Sequence, residues 1–466
     1  MDEPASDSFF LYDDDDDEDC EDCDHLQMTE YDEYYDELPA QSFTDIYNYC
    51  LTPSIHETAK YFYPLVLSAL LFRILAQNRY TPPRIFHGLS TLIGLWVIQH
   101  YVKECFYLLL YFVAASYACL YLPKVFRGGI KTFLPSLIII LHCEWSLDPV
   151  DWHKVRSVIM IASMRTISLA SDVKLKEEIP SILEYTGYVY GAATALFGPW
   201  ISFKDYTALQ NLHNQWNFWW IIASVKYFLI SFFFLCISNC WAQWILTDHA
   251  GKWFLAYRDA LAFRSSHYFI AHATSSILIL GGYPLSEITI VKPLEIELPR
   301  SLVQVVVSWN IPMHTWLKLY IFRPARRRLG KFSAVVLTYF ASSLLHGLNF
   351  QLAAVLLSLG FYTFIEYQLR NVLAETFDAC IAAKKCPVDK CPHAKKSTNC
   401  LWVILTNLGF SVLTMFHLAY LGLMFDTSEI QETGYSYEHT IRKWSQLGFA
   451  SHWVAFATYI IYFLIR

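Results

Sequence analysis

Apolar residues form long runs from residue 61 onward, and short polar segments separate each run from the next. A run of about 20 apolar residues lets a helix cross the roughly 30 Å of hydrocarbon in a bilayer. The pattern predicts an all-α, polytopic membrane helix bundle with about 9–11 transmembrane helices. The runs lie near residues 61–77, 86–102, 104–122, 130–144, 155–170, 185–200, 217–246, 261–282, 300–322, 332–348, 350–368, 399–425 and 447–465.

Two of these runs do not resemble simple crossings. The run at 185–200 ends in Gly198-Pro199-Trp200, and the run at 300–322 contains Pro312. Proline removes a helical hydrogen bond, and irregular backbone is tolerated at membrane depth only where protein or a cavity shields it. We therefore expect re-entrant segments around a central chamber.

Charge divides the chain into two parts. Residues 1–60 carry 20 acidic side chains and one basic side chain, whereas residues 61–466 carry 34 basic and 22 acidic ones. A stretch as acidic as residues 13–19 repels itself and cannot bury a core. We expect residues 1–60 to form an acidic, disordered, cytosol-facing extension and residues 61–466 to form the membrane domain. The whole chain is 55% hydrophobic and only 17% charged, which excludes an ordinary soluble protein.

Basic clusters orient the second half of the membrane domain. One cluster runs from Arg323 to Lys331 and another from Lys384 to Lys396, with two apolar runs between them. Cytosolic loops of membrane proteins are enriched in lysine and arginine, so both clusters are predicted to be cytosolic loops. The orientation of the N-terminal half stays open.

A histidine and an asparagine are the strongest candidates for chemistry. His346 belongs to a polar stripe of an apolar helix, together with Tyr339, Ser342, Ser343 and Asn349. Asn310 precedes Pro312 in the interrupted run. Counted from the loop Arg323–Lys331, both side chains reach about 20 Å into the membrane if the chain is helical. A structural histidine bonded to a neighbouring backbone is the alternative.

Several sequence blocks resemble the membrane-bound O-acyltransferase family. The resemblance covers nearly everything after residue 60 and includes the pair Ser308-Trp309-Asn310 and Leu345-His346-Gly347. The other blocks are Asp151-Trp152-His153-Lys154, Met164-Arg165-Thr166-Ile167-Ser168-Leu169, Phe197-Gly198-Pro199-Trp200-Ile201-Ser202-Phe203, Lys292-Pro293-Leu294, Glu297-Leu298-Pro299-Arg300 and Phe416-His417-Leu418-Ala419-Tyr420-Leu421-Gly422. Within the family, these blocks are most similar to the branch that acylates a serine of Wnt proteins.

This resemblance implies transfer of a palmitoleoyl group from acyl-CoA, a co-substrate, to a serine of a Wnt protein in the endoplasmic reticulum membrane. His346 would be catalytic and Asn310 its partner, either binding the oxyanion or orienting the imidazole. Trp309 and Arg323 would contact substrate, with acyl-CoA arriving from the cytosolic side and Wnt from the lumenal side. Neither a metal, nor a bound cofactor, nor a nucleic-acid partner is implied. The alternatives are a lipid or sterol acceptor, or a multi-pass transporter.

Two further features of the sequence each allow two interpretations. Arg165 lies in an apolar run, where a charge is costly, and we expect it to pair with Glu144 or Asp151 rather than with substrate. Cys386, Cys391, His393 and Cys400 could bind a metal or be acylated, although their spacing is wider than in most zinc sites. The 12 cysteines otherwise show no disulfide framework.

Overall fold

The fold was analysed in a computed structural model of the 466-residue chain. The structure describes residues 42–78, 80–122, 129–176, 179–211, 218–284, 289–386, 391–425 and 436–466. Most of the predicted acidic extension, and residues 426–435, therefore lie outside the described residues. Residues 43–60, which the prediction placed in the disordered extension, are helical: they form Phe43–Ile46, Tyr47–Leu51 and the start of the helix Thr52–Gln77.

Helices make up nearly all of the regular structure in the described ranges, beside one isolated bridge between Ala379 and Lys395. The principal helices are α1 Thr52–Gln77, α2 Pro83–Val102, α3 Phe106–Leu120, α4 Gly129–Ser146, α5 Pro149–Lys176, α6 Ile182–Val189, α7 Phe203–Ala208, α8 Trp219–Cys236, α9 Lys252–Leu280, α10 Pro293–Glu297, α11 Leu302–Trp309, α12 Ile311–Trp316, α13 Arg323–Leu345, α14 Phe350–Thr376, α15 Leu401–Gly422, α16 Tyr437–Gln446 and α17 Ala450–Ile465. Helical turns of π type extend α8 over Ile237–Trp241 and α12 over Leu317–Phe322.

The polytopic all-α architecture is confirmed. Within the described ranges, five helices are long and apolar enough to cross a membrane, namely α1, α2, α8, α14 and α15. The pair α16 and α17, bent by 74°, brings the number to six if it counts as one span. Other long helices, such as α5 and α9, fall outside this group because they carry polar residues that are buried inside the protein, among them Arg165 and Arg264.

The first interrupted run is mostly not helical. Helix α6 ends at Val189, and the following residues form turns and bends up to Trp200. Arg165 donates hydrogen bonds to the carbonyl oxygens of Tyr188, Val189 and Thr194 at 2.8–3.1 Å. The predicted partner of Arg165 was therefore wrong: no carboxylate is needed, because unwound backbone inside the protein leaves carbonyl groups that require donors.

The second interrupted run enters the protein and returns to the same level. Helix α11 ends at Trp309, the backbone of Asn310 is extended (φ −147°, ψ 91°), and α12 starts at Ile311. The N–H of Leu302 donates to Glu366 at 2.8 Å, and the Lys331 amine donates to Gln368 at 3.2 Å. Since Glu366 and Gln368 are two residues apart in α14, and so about 3 Å apart along its axis, the beginning and the end of the segment 302–331 bond at nearly one level of that helix. The segment is therefore re-entrant, and Asn310 lies at its inner end.

The basic segment from Arg323 to Lys331 is helical, so its prediction as a loop was wrong. The first turns of α13 continue α12, and the chain bends at Gly330 (φ 80°, ψ 179°). Arginine and lysine are good helix formers, whereas glycine adopts a positive φ at little cost, which explains the position of the break.

One disulfide, between Cys50 and Cys240, joins the segment before α1 to the end of α8. The position of Cys240 beside an apolar run predicts a buried free thiol, and the disulfide shows that this prediction was wrong; the two cysteines are 190 residues apart in the sequence. Disulfides persist in oxidising compartments. The pair therefore favours an oxidising compartment for the chain near Cys50, in contrast to the cytosol-facing extension expected from its charge.

Candidate active site

A large cavity of about 1330 Å³ lies between α5, α9, α13 and α14, with the re-entrant segment in its wall. Both predicted catalytic residues, His346 and Asn310, line it. Tyr339, Ser342 and Asn349 also line it, as the polar stripe predicted, but Ser343 does not. The cavity exceeds the usual size of small-ligand pockets and can hold a long acyl chain together with part of its carrier.

His346 lies just past the end of a helix rather than inside one. Helix α13 ends at Leu345, and the N–H of His346 donates to the Ser343 carbonyl oxygen at 3.1 Å. The chain then turns at Gly347 (φ 93°) toward Asn349, which caps α14 by accepting a hydrogen bond from the N–H of Leu352. A helix end places the imidazole at a corner of the backbone, facing the cavity.

Glu144 holds this corner in place. Its Oε2 accepts hydrogen bonds from the N–H of Leu348 at 3.1 Å and from the Trp152 indole at 2.8 Å. Trp152 and Glu144 themselves line the cavity. The sequence indicated Glu144 only as a candidate partner of Arg165, and its real partner is 204 residues away in the chain.

Asn310 caps the helix that follows it. Its Oδ1 accepts a hydrogen bond from the N–H of Met313 at 3.0 Å. The backbone on either side is also held, since the N–H of Ile311 donates to the Ile290 carbonyl and the N–H of Lys292 donates to the Ser308 carbonyl. With Oδ1 engaged, the amide group is fixed in orientation, and Nδ2 remains as a hydrogen-bond donor on the cavity wall.

His267 supports the residue before Asn310, and sequence reasoning missed it. Its ring stacks on that of Trp309, with centroids 4.3 Å apart and 4° between the planes. Its Nε2 lies 2.7 Å from the Trp309 carbonyl oxygen. The signal in the sequence was a run of four polar residues, Arg264 to His267, in the middle of α9. His267 and Trp309 both line the cavity, whereas Trp316 is buried beside it with its indole bonded to the Met164 carbonyl.

Basic side chains occupy one end of the cavity. Lys318, Arg326, Lys331 and Lys384 line it, but Arg323, the predicted substrate contact, does not. Arg326 follows Arg323 by one helical turn. Arg156 also lines the cavity, as do His346 and His267. The cavity thus combines a cationic end with an interior that carries a histidine and an amide.

Comparison with known proteins identifies the family. A model of the membrane-bound O-acyltransferase family matches residues 89–387, which include Asn310 and His346. The chain is also 35% identical over 458 residues to the protein-serine O-palmitoleoyltransferase porcupine of Homo sapiens, covering 91% of this chain and 98% of that protein. The chain belongs to the membrane-bound O-acyltransferase family.

Two further relatives of the chain are named for different acceptors, a protein serine and a lysophospholipid. The protein-serine O-palmitoleoyltransferase porcupine of Drosophila melanogaster is 34% identical over 465 residues, covering 89% of this chain and 86% of that protein. Lysophospholipid acyltransferase 2 of Arabidopsis thaliana is 24% identical over 283 residues, covering 47% and 59% respectively. The chain is thus more similar to the protein acyltransferases than to the lipid acyltransferase, and that similarity covers more of its length.

Proposed function

We propose that this protein transfers a palmitoleoyl group from acyl-CoA to a serine hydroxyl of a Wnt protein in the endoplasmic reticulum membrane. The observation that carries the proposal is one cavity lined by His346 and Asn310, in a chain 35% identical to a protein-serine O-palmitoleoyltransferase over 91% of its length. A transporter role is disfavoured by membership of an acyltransferase family.

His346 acts as the general base. A serine hydroxyl is a weak nucleophile until a base accepts its proton, and a neutral imidazole suits this task near neutral pH. The serine Oγ forms a bond to the thioester carbon as its proton passes to His346. The carbon–sulphur bond then breaks, and the imidazolium returns the proton to the sulphur, so that CoA leaves as a thiol and the ester remains.

Asn310 stabilises the charge that develops on the thioester oxygen. A tetrahedral intermediate carries negative charge on this oxygen, and a fixed N–H donor stabilises it. The bond from Met313 N–H to Oδ1 holds the amide without using Nδ2. This arrangement favours an oxyanion role over orientation of the imidazole.

The cationic end of the cavity suits the phosphates of CoA. Lys318, Arg326, Lys331 and Lys384 line this end, and three of them belong to the segments whose charge predicts the cytosolic side. In the proposal, acyl-CoA enters from the cytosol with its acyl chain ahead, and the protein acceptor approaches His346 from the lumen. The phosphate contact is thereby assigned to Arg326 and its neighbours instead of Arg323.

The decisive experiment compares acceptors. The purified protein in lipid nanodiscs receives palmitoleoyl-CoA together with a Wnt hairpin peptide, the same peptide with its serine replaced by alanine, or a lysophospholipid. The proposal predicts a serine-dependent ester on the peptide, seen by mass spectrometry. Acylation of the lysophospholipid alone would support the lipid acceptor and overturn the proposal.

A further inference from the structure

A second cluster of reactive side chains lies in the segment after α14, outside the catalytic cavity. Cys380, Cys386, Cys391 and His393 bring one Sγ or Nδ1/Nε2 atom each into a group whose members all lie within 4.8 Å of one another. Residues 387–390, between the second and third cysteine, lie outside the described residues. Cys400, which the sequence suggested, does not belong to the group formed by the described residues.

Backbone contacts close the base of this segment. The N–H of Cys380 donates to the Lys395 carbonyl at 2.9 Å, and the N–H of Lys395 donates to the Asp378 carbonyl at 3.0 Å. The first ligand therefore lies across from the chain that carries His393, two residues before Lys395. This pairing replaces Cys400 by Cys380, because Cys400 already begins the next helix, α15.

The distances match a tetrahedral metal site. The Nδ1 atom of His393 lies 3.6 Å from Sγ of Cys386 and 3.6 Å from Sγ of Cys391. Zinc bound by sulphur at about 2.3 Å and nitrogen at about 2.0–2.1 Å in a tetrahedron separates the two ligand atoms by roughly 3.6 Å. None of the three cysteines takes part in a disulfide, so all are available as thiolates.

We propose that Cys380, Cys386, Cys391 and His393 bind a structural zinc ion. Three sulphurs and one imidazole nitrogen form a closed ligand set without an open position, which is typical of structural zinc and leaves no place for a reacting water. Each thiol releases its proton to solvent as its sulphur–zinc bond forms, and the imidazole binds as the neutral ring. Soft thiolate ligands favour zinc over magnesium or calcium.

The bonds that hold the segment link the zinc site to the re-entrant helix. Arg300, just before α11, donates to the carbonyl oxygens of Cys380 at 2.9 Å and Ala382 at 3.1 Å. Ser301, the cap of α11, donates to the Ala383 carbonyl at 2.9 Å. Asn310 directly follows the last residue of α11, so the metal-bound segment supports the start of the helix that positions this residue.

The same segment presents a basic side chain to the cavity. Lys384 lines the cavity and lies between Cys380 and Cys386, so two ligands flank it in sequence. Arg370 adds a further anchor, donating from Nε to the Ile381 carbonyl at 2.7 Å. Zinc would therefore restrict the motion of the chain around Lys384, with a structural rather than a catalytic part in the reaction.

Metal content is the direct test. The full-length protein is purified without chelator, and zinc is measured by inductively coupled plasma mass spectrometry. We expect about one zinc ion per chain for a single structural site. Cys391→Ser should lose most of it, whereas Cys400→Ser, the matched control outside the group, should retain it. Equal loss in both variants, or absence of zinc from the unaltered protein after incubation with Zn(II), would overturn the proposal.

A spectroscopic measurement keeps the test valid if Cys391→Ser does not fold. X-ray absorption of the unaltered zinc-loaded protein should give sulphur ligands at about 2.3 Å and a nitrogen ligand at about 2.0–2.1 Å. A shell of oxygen ligands would contradict the site. So would a thioester-linked acyl group or a disulfide on Cys386 or Cys391 in the purified protein, since either modification removes a ligand.

Discussion

Gly347 approaches the carboxylate of Glu144 so closely that a Cβ atom added to it would lie 2.7 Å from Oε2. The same oxygen accepts the hydrogen bond from the N–H of Leu348. Two features therefore require glycine in the turn that follows His346. The φ of Gly347 is 93°, in the region that favours glycine, and the close contact with Glu144 leaves no space for a side chain. The position of the imidazole depends on this turn.

Gly347→Ala should lower acyl transfer strongly. The added methyl group must push Glu144 or the turn aside, and a displacement near 1 Å at a reacting group can reduce the rate by about 10²-fold. Gly448→Ala is the control, because Gly448 also has a positive φ, 61°, but no atom within 4 Å of an added Cβ. Transfer rates of both variants, measured at equal amounts of folded protein, check this. Equal losses would mean that backbone strain alone is responsible.

Asn310→Asp separates the two roles of the asparagine. The aspartate can still accept the hydrogen bond from Met313 N–H, and its charge is favourable at a helix N-terminus. It lacks the N–H donor, so acyl transfer should fall by about 10²–10³-fold, as for other oxyanion donors. Melting temperature should stay near that of the unaltered protein.

Asn310→Ala provides the comparison, since it loses the cap as well and should cost roughly 1 kcal/mol of stability in addition. If Asn310→Asp transferred the acyl group at the normal rate, the asparagine would serve only as a helix cap.

Lys384 and Lys385 form a matched pair for the acyl-CoA contact. Both are exposed, but only Lys384 lines the cavity. Lys384→Gln should raise KM for acyl-CoA roughly two- to fivefold, the value of one solvent-screened ion pair, and should weaken the dependence of KM on salt. Lys385→Gln should change neither. Equal effects of the two substitutions would assign the phosphate contact elsewhere.

The Cys50–Cys240 disulfide predicts the side of the membrane on which the acidic extension lies. Alkylation of Cys50 should require reductant in the unaltered protein but not in Cys240→Ala. An N-glycosylation site inserted before residue 42 should be glycosylated, because the oxidising compartment is the lumen. Alkylation of Cys50 without reductant, or an unglycosylated site, would favour the cytosolic side expected from the charge.

Local patterns predicted the interior of the fold well. The polar stripe around His346 and the break near Pro312 follow from helical periodicity and from proline chemistry, and both lead into the cavity. The basic segment was misassigned because charge indicates the side of a membrane and not the backbone conformation. Only the structure shows that it is helical as far as Gly330.

The contacts that position the site could not be predicted, because they join distant parts of the chain. Glu144 reaches Leu348 across 204 residues, and His267 reaches Trp309 across 42. A single sequence contains no signal for such pairs. The spacing of the cysteines did not predict the members of the cysteine–histidine cluster, for a similar reason. Backbone pairing with Lys395 brings Cys380, and not Cys400, to His393.

The most direct test of the account is the transfer rate of His346→Gln. Glutamine can form hydrogen bonds but cannot accept and return a proton, so palmitoleoyl transfer to the Wnt peptide should fall by at least about 10²–10⁴-fold. His142→Gln, in α4 and away from the cavity lining, is the matched control and should leave the rate unchanged. Both variants should melt near the temperature of the unaltered protein. A normal rate for folded His346→Gln would contradict the assignment of His346 as the general base.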